Sequence, residues 1–157
     1  MRITAILSGK PMNAIDRPEP AKRDAPALPA DAFIGSWRVR RTVIDFNGGP
    51  RCMFSGQAVV TADAFTESGE IQLGDRTLSA SRSYRLERLG DAVAVLRADG
   101  SAFISLGEQP SQAVRHDCGA DAYLGRFLFR GPDEWAEAWR VKGPRKNYAS
   151  LSRFSRL

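Results

Sequence analysis

Gly35-Ser36-Trp37-Arg38-Val39-Arg40-Arg41-Thr42-Val43-Ile44-Asp45 alternates bulky and polar side chains with a period of two, as a strand with one buried face must. Trp37, Val39, Arg41 and Val43 share one face; Arg38, Arg40, Thr42 and Ile44 share the other. The tryptophan and the valines make the first set the interior, which carries Arg41 inside with them. The stretch runs into Asn47-Gly48-Gly49, whose residues accept the positive φ angles a tight hairpin demands.

Outward from this stretch the same pattern repeats. Cys52–Thr61 alternates, with Gly56 read as a bulge or bend. Phe65–Leu73 follows and ends at Gly74-Asp75, and Thr77–Leu89 ends at Gly90-Asp91. Ala92–Arg97 and Ser101–Leu106 flank Asp99-Gly100, and Gln112–Cys118 and Ala122–Phe129 flank Gly119. Glu134–Val141 and Asn147–Arg156 flank Gly143-Pro144. Short strands joined by short turns predict an all-β fold, a single antiparallel up-and-down β-barrel of about 8–10 strands over residues 31–157. One segment competes: Asp133–Trp139 also suits a helical turn, with Trp135 and Trp139 four residues apart. Residues 1–30 carry Pro11, Pro18, Pro20, Pro26 and Pro29 among Ala and charged residues, and are read as a disordered leader.

Strand parity then selects an unusual interior. Arg82 and Tyr84 share a face with Ala80 and Leu86. His116 shares one with Val114 and Cys118, and Tyr123 one with Phe127 and Phe129. A buried guanidinium without a partner costs several kcal/mol. Arg41 and Arg82 must therefore meet a carboxylate, for which Asp121 and Glu70 are the candidates, or backbone carbonyls, or stack on aromatics, or face a bound anion. The pattern predicts a polar-lined lumen and hence a ligand pocket for a small molecule, anionic and partly apolar. Its binding residues are taken as Arg41, Arg82, Tyr84, His116, Tyr123, Arg145, Lys146 and Tyr148. Arg145 and Lys146, in the Gly143-Pro144-Arg145-Lys146 turn, either are solvated or form a basic mouth for carboxylate or phosphate.

His116-Asp117-Cys118 invites a nucleophilic reading, but Asp117 lies on the opposite face from its neighbours, so the three form no relay. His116 acting alone as general acid or base, in a lyase or isomerase, is the alternative reading. One histidine near one cysteine falls short of a metal site. No cofactor is required, although a barrel of this kind can hold haem through a single histidine.

Composition narrows the classes further. Over 157 residues, hydrophobic side chains make up 43% and charged ones 26%, which suits one globular domain. No apolar run approaches the about 20 residues of a membrane-spanning helix, and Ile3–Leu7 is too short for an export signal. A cytoplasmic location follows, with Cys52 and Cys118 as reduced thiols. The net charge of +5 is concentrated at the end: residues 139–157 hold Arg140, Lys142, Arg145, Lys146, Arg153 and Arg156 and no acid. Such an end can serve as an adaptor surface for nucleic acid or protein. Few aromatics accompany it, which disfavours nucleic acid. A monomer or homodimer is expected.

Several of these residues form recognisable motifs. Phe33-x-Gly35-x-Trp37, Arg82-x-Tyr84, His116-x-Cys118-x-x-Asp121-x-Tyr123 and Trp139-x-Val141-x-Gly143-Pro144-Arg145-Lys146-x-Tyr148 resemble a bacterial family known only as a domain of unknown function. The resemblance covers about residues 33–156. The Gly35-Ser36-Trp37 opening also resembles the lipocalin-like (calycin) barrels. It implies that Gly35, Trp37, Trp139 and a final-strand arginine, Arg153 or Arg156, are structural, the arginine packing near Trp37. Intracellular barrels of that kind bind fatty acids, haem or tetrapyrroles, and a few are lyases or isomerases.

Overall fold

Alternation becomes hydrogen-bonded ladder in the computed structural model, which describes residues 30–157. The segment read as a leader lies, but for Ala30, outside the described residues. A short 3₁₀ turn at Ala30–Phe33 leads into ten strands. The first five are β1 Gly35–Asp45, β2 Cys52–Val60, β3 Ala64–Leu73, β4 Arg76–Leu89 and β5 Ala92–Leu96. The rest are β6 Ala102–Leu106, β7 Ser111–Cys118, β8 Asp121–Phe129, β9 Glu134–Lys142 and β10 Asn147–Arg156. The architecture is all-β, as the alternation implied.

Strand order is β6-β5-β4-β3-β2-β1-β10-β9-β8-β7, every pair antiparallel. The first half of the chain winds from β1 out to β6; the second starts at the far edge with β7 and returns until β10 pairs with β1. The two edges follow one another in sequence and face each other across a seam, giving a nearly closed barrel. No ladder joins β6 to β7 among the described residues. The Gln112 side chain bridges them instead: it accepts from the Gly107 amide at 2.6 Å and donates to the carbonyls of Gly107 at 2.7 Å and Gln109 at 2.8 Å. β4 pairs with β5 only from Arg85 to Leu89, so Arg76–Tyr84 has a strand neighbour on one side only.

One end is closed by a device that settles which arginine meets the tryptophan. Arg156 lies over the Trp37 ring, its guanidinium carbon 4.4 Å from the ring centre, while Arg153 points outward and is exposed. The Arg156 guanidinium also donates to the carbonyls of Ala32 at 2.5 Å, Pro132 at 2.6 Å and Ile34 at 3.2 Å. It thus ties the 3₁₀ turn and the β8–β9 turn to the last strand. Gly35 makes room for it: a Cβ there would stand 2.6 Å from Arg156 Nη1. Beneath, Trp37 and Phe154 are fully buried, and Trp135 stacks on Phe154 at 3.6 Å.

Glu134–Lys142 is a regular strand, as the alternation implied, and the competing helical turn at Asp133–Trp139 is excluded; residues four apart share a face at a period of two as well as at 3.6. Gly56 is no bulge, for it sits in unbroken register opposite Val39 and Gly69. A Cβ on Gly56 would strike the Ser68 carbonyl and Gly69 Cα, so the glycine serves close approach under the Phe54 ring.

Candidate functional site

Parity places Arg41 and Arg82 inside the barrel, as read from the sequence, but their partners are not those expected. Glu67 on β3 and Glu137 on β9 meet them. Arg41 Nη2 lies 2.7 Å from Glu67 Oε2 and 3.5 Å from Glu137 Oε1. Arg82 reaches Glu67 Oε1 at 3.0 Å through Nε and Glu137 Oε1 at 2.6 Å through Nη2. Ser152 completes the cluster, accepting from Arg41 Nε at 2.7 Å and donating to Glu137 Oε1 at 3.0 Å. Both carboxylates are buried. Glu70 points outward and Asp121 is engaged elsewhere, so the pairing expected of them is corrected.

The cluster holds two positive and two negative charges, which makes it neutral without any bound ion. Burial alone would lower the Arg82 guanidinium and raise the Glu137 carboxyl. The neighbouring opposite charges outweigh it, holding Arg82 above its ordinary value and Glu137 below. The expectation that these arginines confront an anion is therefore revised: they confront glutamates.

Arg82 and Glu137 form the polar part of the wall of a cavity of about 250 Å³. The remainder is mostly apolar and rich in rings: Phe65, Tyr84, Phe103, Phe127, Trp135 and Trp139, with Val60, Leu86, Val95 and Ile104 between them. The other charged residues of the lining are Asp31, Arg88, Asp91 and Glu108, of which Arg88 and Asp31 pair at 3.0 Å. Trp135 brings one further feature. Its indole nitrogen is the one buried side-chain polar atom without a partner among the described residues.

Of the residues selected from the sequence, Arg82 and Tyr84 line this cavity and Arg41 stands behind it in the charge cluster. His116, Tyr123, Lys146 and Tyr148 gather toward the other end. His116 faces Tyr123 across the β7–β8 ladder. Lys146 Nζ donates to the Tyr123 hydroxyl at 2.7 Å and pairs with Asp121 Oδ2 at 2.7 Å. Those two hydrogen bonds push Lys146 above its ordinary value, while burial above all raises the Tyr148 phenol. Arg145 is exposed in the β9–β10 turn, apart from both groups. Asp117 is outward and bonded to Arg115, so His116, Asp117 and Cys118 form no relay.

The structure adds two residues that sequence reasoning missed besides the glutamates and Ser152, Arg97 and Phe103, and it sets Phe127, already read on the Tyr123 face, in the cavity wall. Arg97, just past β5, brings Nη2 within 2.5 Å of His116 Nε2. Phe103 lines the cavity beside His116, its ring edge-on to the imidazole at 5.0 Å and stacked on Trp139 at 5.5 Å. Phe127 packs edge-on against Trp139. Both cysteines are free, and burial raises the Cys52 thiol despite the opposing Arg41 charge. The basic end is partly consumed by the fold, since Arg140 bonds the Val141 and Tyr148 carbonyls and the Asn147 side chain, Lys146 pairs with Asp121, and Arg156 caps Trp37.

The chain belongs to a family of unknown function, DUF6314, whose pattern matches residues 33–156. No curated protein shows significant sequence similarity to it. Among solved structures it is similar to an S-type phycobiliprotein lyase from Guillardia theta, with a TM-score of 0.58 and 16% identity over 81% of this chain and 89% of that one. It is also similar to a protein of unknown function from the DUF3598 family of Nostoc punctiforme, with a TM-score of 0.58 and 15% identity over 85% of this chain. The match spans 51% of that second protein, about half its length. At such identities the likeness is one of fold.

Proposed function

We propose that this member of a family of unknown function is a small-molecule-binding barrel whose ligand carries a flat, largely apolar body. The observation that carries the reading is the cavity of about 250 Å³ walled by eight aromatic residues, with the Arg82–Glu137 pair set into one side. Apolar walls with a few fixed polar groups are how proteins hold small ligands. The volume lies just under the usual range, about 300–1,000 Å³, so the molecule is of one or two fused rings in size. Because the wall pair is neutral, it offers a donor and an acceptor side by side and suits a polar group of the ligand better than a free anion.

Native mass spectrometry of protein purified from its own host tests this. The reading expects a non-covalent adduct of small mass, released on denaturation. In its support, 2-naphthol should quench Trp135 and Trp139 emission in a saturable way. An adduct-free protein whose tryptophans are untouched by such a probe overturns the reading. General acid–base chemistry by His116 is not favoured here, because its Nε2 is engaged by Arg97 and the neighbouring Asp117 is held by Arg115.

A further inference from the structure

We propose that Arg97 and His116 form a carboxylate-binding site at the β6–β7 seam, which holds the acid group of the molecule whose apolar body fills the cavity. The proposal rests on the cavity reading above and names the chemistry of that ligand more closely.

Arg97 differs from the guanidinium groups of the interior. Arg41 and Arg82 are matched by two glutamates, whereas half-buried Arg97 makes no ion pair among the described residues. The carboxylates near it are already used. Asp99 accepts from the Ser101 amide at 2.9 Å and hydroxyl at 2.6 Å. Asp117 is held by Arg115, and Asp121 by Lys146. What Arg97 meets instead is His116 Nε2 at 2.5 Å, Cys118 Sγ at 4.0 Å and the face of Phe103, 5.7 Å from its centre. A guanidinium donor aimed at an imidazole nitrogen requires that nitrogen to be unprotonated. An oxyanion entering between the two accepts from Arg97 and, once His116 has taken a proton, from His116 too. The remaining groups around the imidazole are Tyr123, already bonded to Lys146, the uncharged Phe103 ring, and the carboxylate of Asp117, which is held by Arg115.

The site adjoins the cavity through one ring. Phe103 lines the cavity, and its edge meets His116. Tyr84 stacks on Phe103 at 5.4 Å, lines the same cavity, and borders with Arg97 an open groove along the unpaired part of β4. Here the barrel has no ladder to close it, so a ligand can pass from the apolar interior to the cation without breaking backbone hydrogen bonds. The competing role for the Arg97–His116 contact is a strap that holds the seam together with no ligand.

The test uses the full chain without a tag and two probes of one shape, 2-naphthylacetate and its neutral amide, 2-naphthylacetamide. His116 is the only histidine, so ring nitrogen resonances in histidine-labelled protein report on it alone. We expect the acid to quench Trp135 and Trp139 emission with an affinity about tenfold above that of the amide, the ratio of one charge-assisted hydrogen bond. The His116 nitrogens should shift to the doubly protonated pattern with the acid and not with the amide. Arg97→Gln should erase the preference and leave amide binding intact, which also shows that the variant is folded. Equal affinities for the two probes, or a preference that survives Arg97→Gln, overturn the site while leaving the cavity reading in place. Failure of both probes to bind overturns the cavity reading and this proposal with it.

Discussion

Arg82 Nη2 and Glu137 Oε1, 2.6 Å apart, join β4 to β9 across the hollow of the barrel, between strands that share no ladder. A middle layer of the interior is thus a charge cluster where most small barrels of this size pack aliphatic side chains. Burying ions is costly, and only full pairing offsets the cost. The loss from breaking the cluster therefore depends on which members are removed. Glu137→Ala strands Arg82 beside a single glutamate and should lower unfolding stability by about 3–5 kcal/mol. Replacing the pair together, Arg82→Met with Glu137→Leu, leaves Arg41 and Glu67 matched and should cost less than half as much. Urea unfolding of the three proteins measures both values, and a double variant as weak as the single would contradict the pairing argument.

Acid sensitivity follows from the same carboxylate. Arg82 and Arg41 hold Glu137 below its ordinary value of 4.5 against the opposing effect of burial. A group whose value is depressed by folding contributes stability that is complete above its unfolded value and disappears as pH falls through the folded one. Stability should thus be flat in this respect above about pH 4.5 and fall steadily below it. Glu137→Gln removes that slope, so its stability should change less between pH 5 and pH 3 than that of the unaltered protein, as thermal unfolding across that range would show. An identical slope in both proteins would count against Glu137 as the responsible group.

Much of this was legible in the alternation. Trp37 and two valines place Arg41 inside, and Ala80 and Leu86 place Arg82 there, because a strand gives a side chain only two faces. The partners escaped for separable reasons. Glu67 shares its face with Phe65, but Thr66, Ser68 and Gly69 around it carry no apolar signal that marks which side is buried. Glu137 lies midway between Trp135 and Trp139 and shares their face on the strand read at Glu134–Val141, so its parity was legible, but its partnership with Arg82 across the hollow was not. Arg97 follows the last residue of β5 and precedes the Asp99-Gly100 turn, where alternation no longer says where a side chain points. Its nearness to His116 is a property of the seam, made by residues that share no ladder.

Arg156 should resist conservative replacement. Its flat guanidinium stacks on Trp37 while its nitrogens reach carbonyls of three residues in two separate turns. A lysine carries a single ammonium and can neither stack in this way nor fork. Arg156→Lys should cost roughly 2 kcal/mol, through lost hydrogen bonds to charge and a weaker ring contact. Arg153→Lys, on the exposed face of the same strand, should be silent within about 0.5 kcal/mol. Thermal unfolding of the two variants side by side decides it, and equal effects would remove the special role given to Arg156.

Filling the cavity separates stability from binding. Val95 is buried and lines the cavity, whereas Val39 is fully buried and lies outside it. Enlarging a side chain in packed surroundings costs about 1–3 kcal/mol through strain, but beside an open volume the added ring has somewhere to go. Val39→Phe should therefore destabilise by about 3 kcal/mol. Val95→Phe should change stability by less than about 1 kcal/mol, and should weaken 2-naphthylacetamide binding more than tenfold because the ring occupies the ligand's space. Unfolding midpoints and tryptophan quenching read the two effects independently. If Val95→Phe proves as damaging as Val39→Phe, the space beside Val95 is not open in solution. If it is harmless but leaves binding unchanged, the probe sits elsewhere on the barrel.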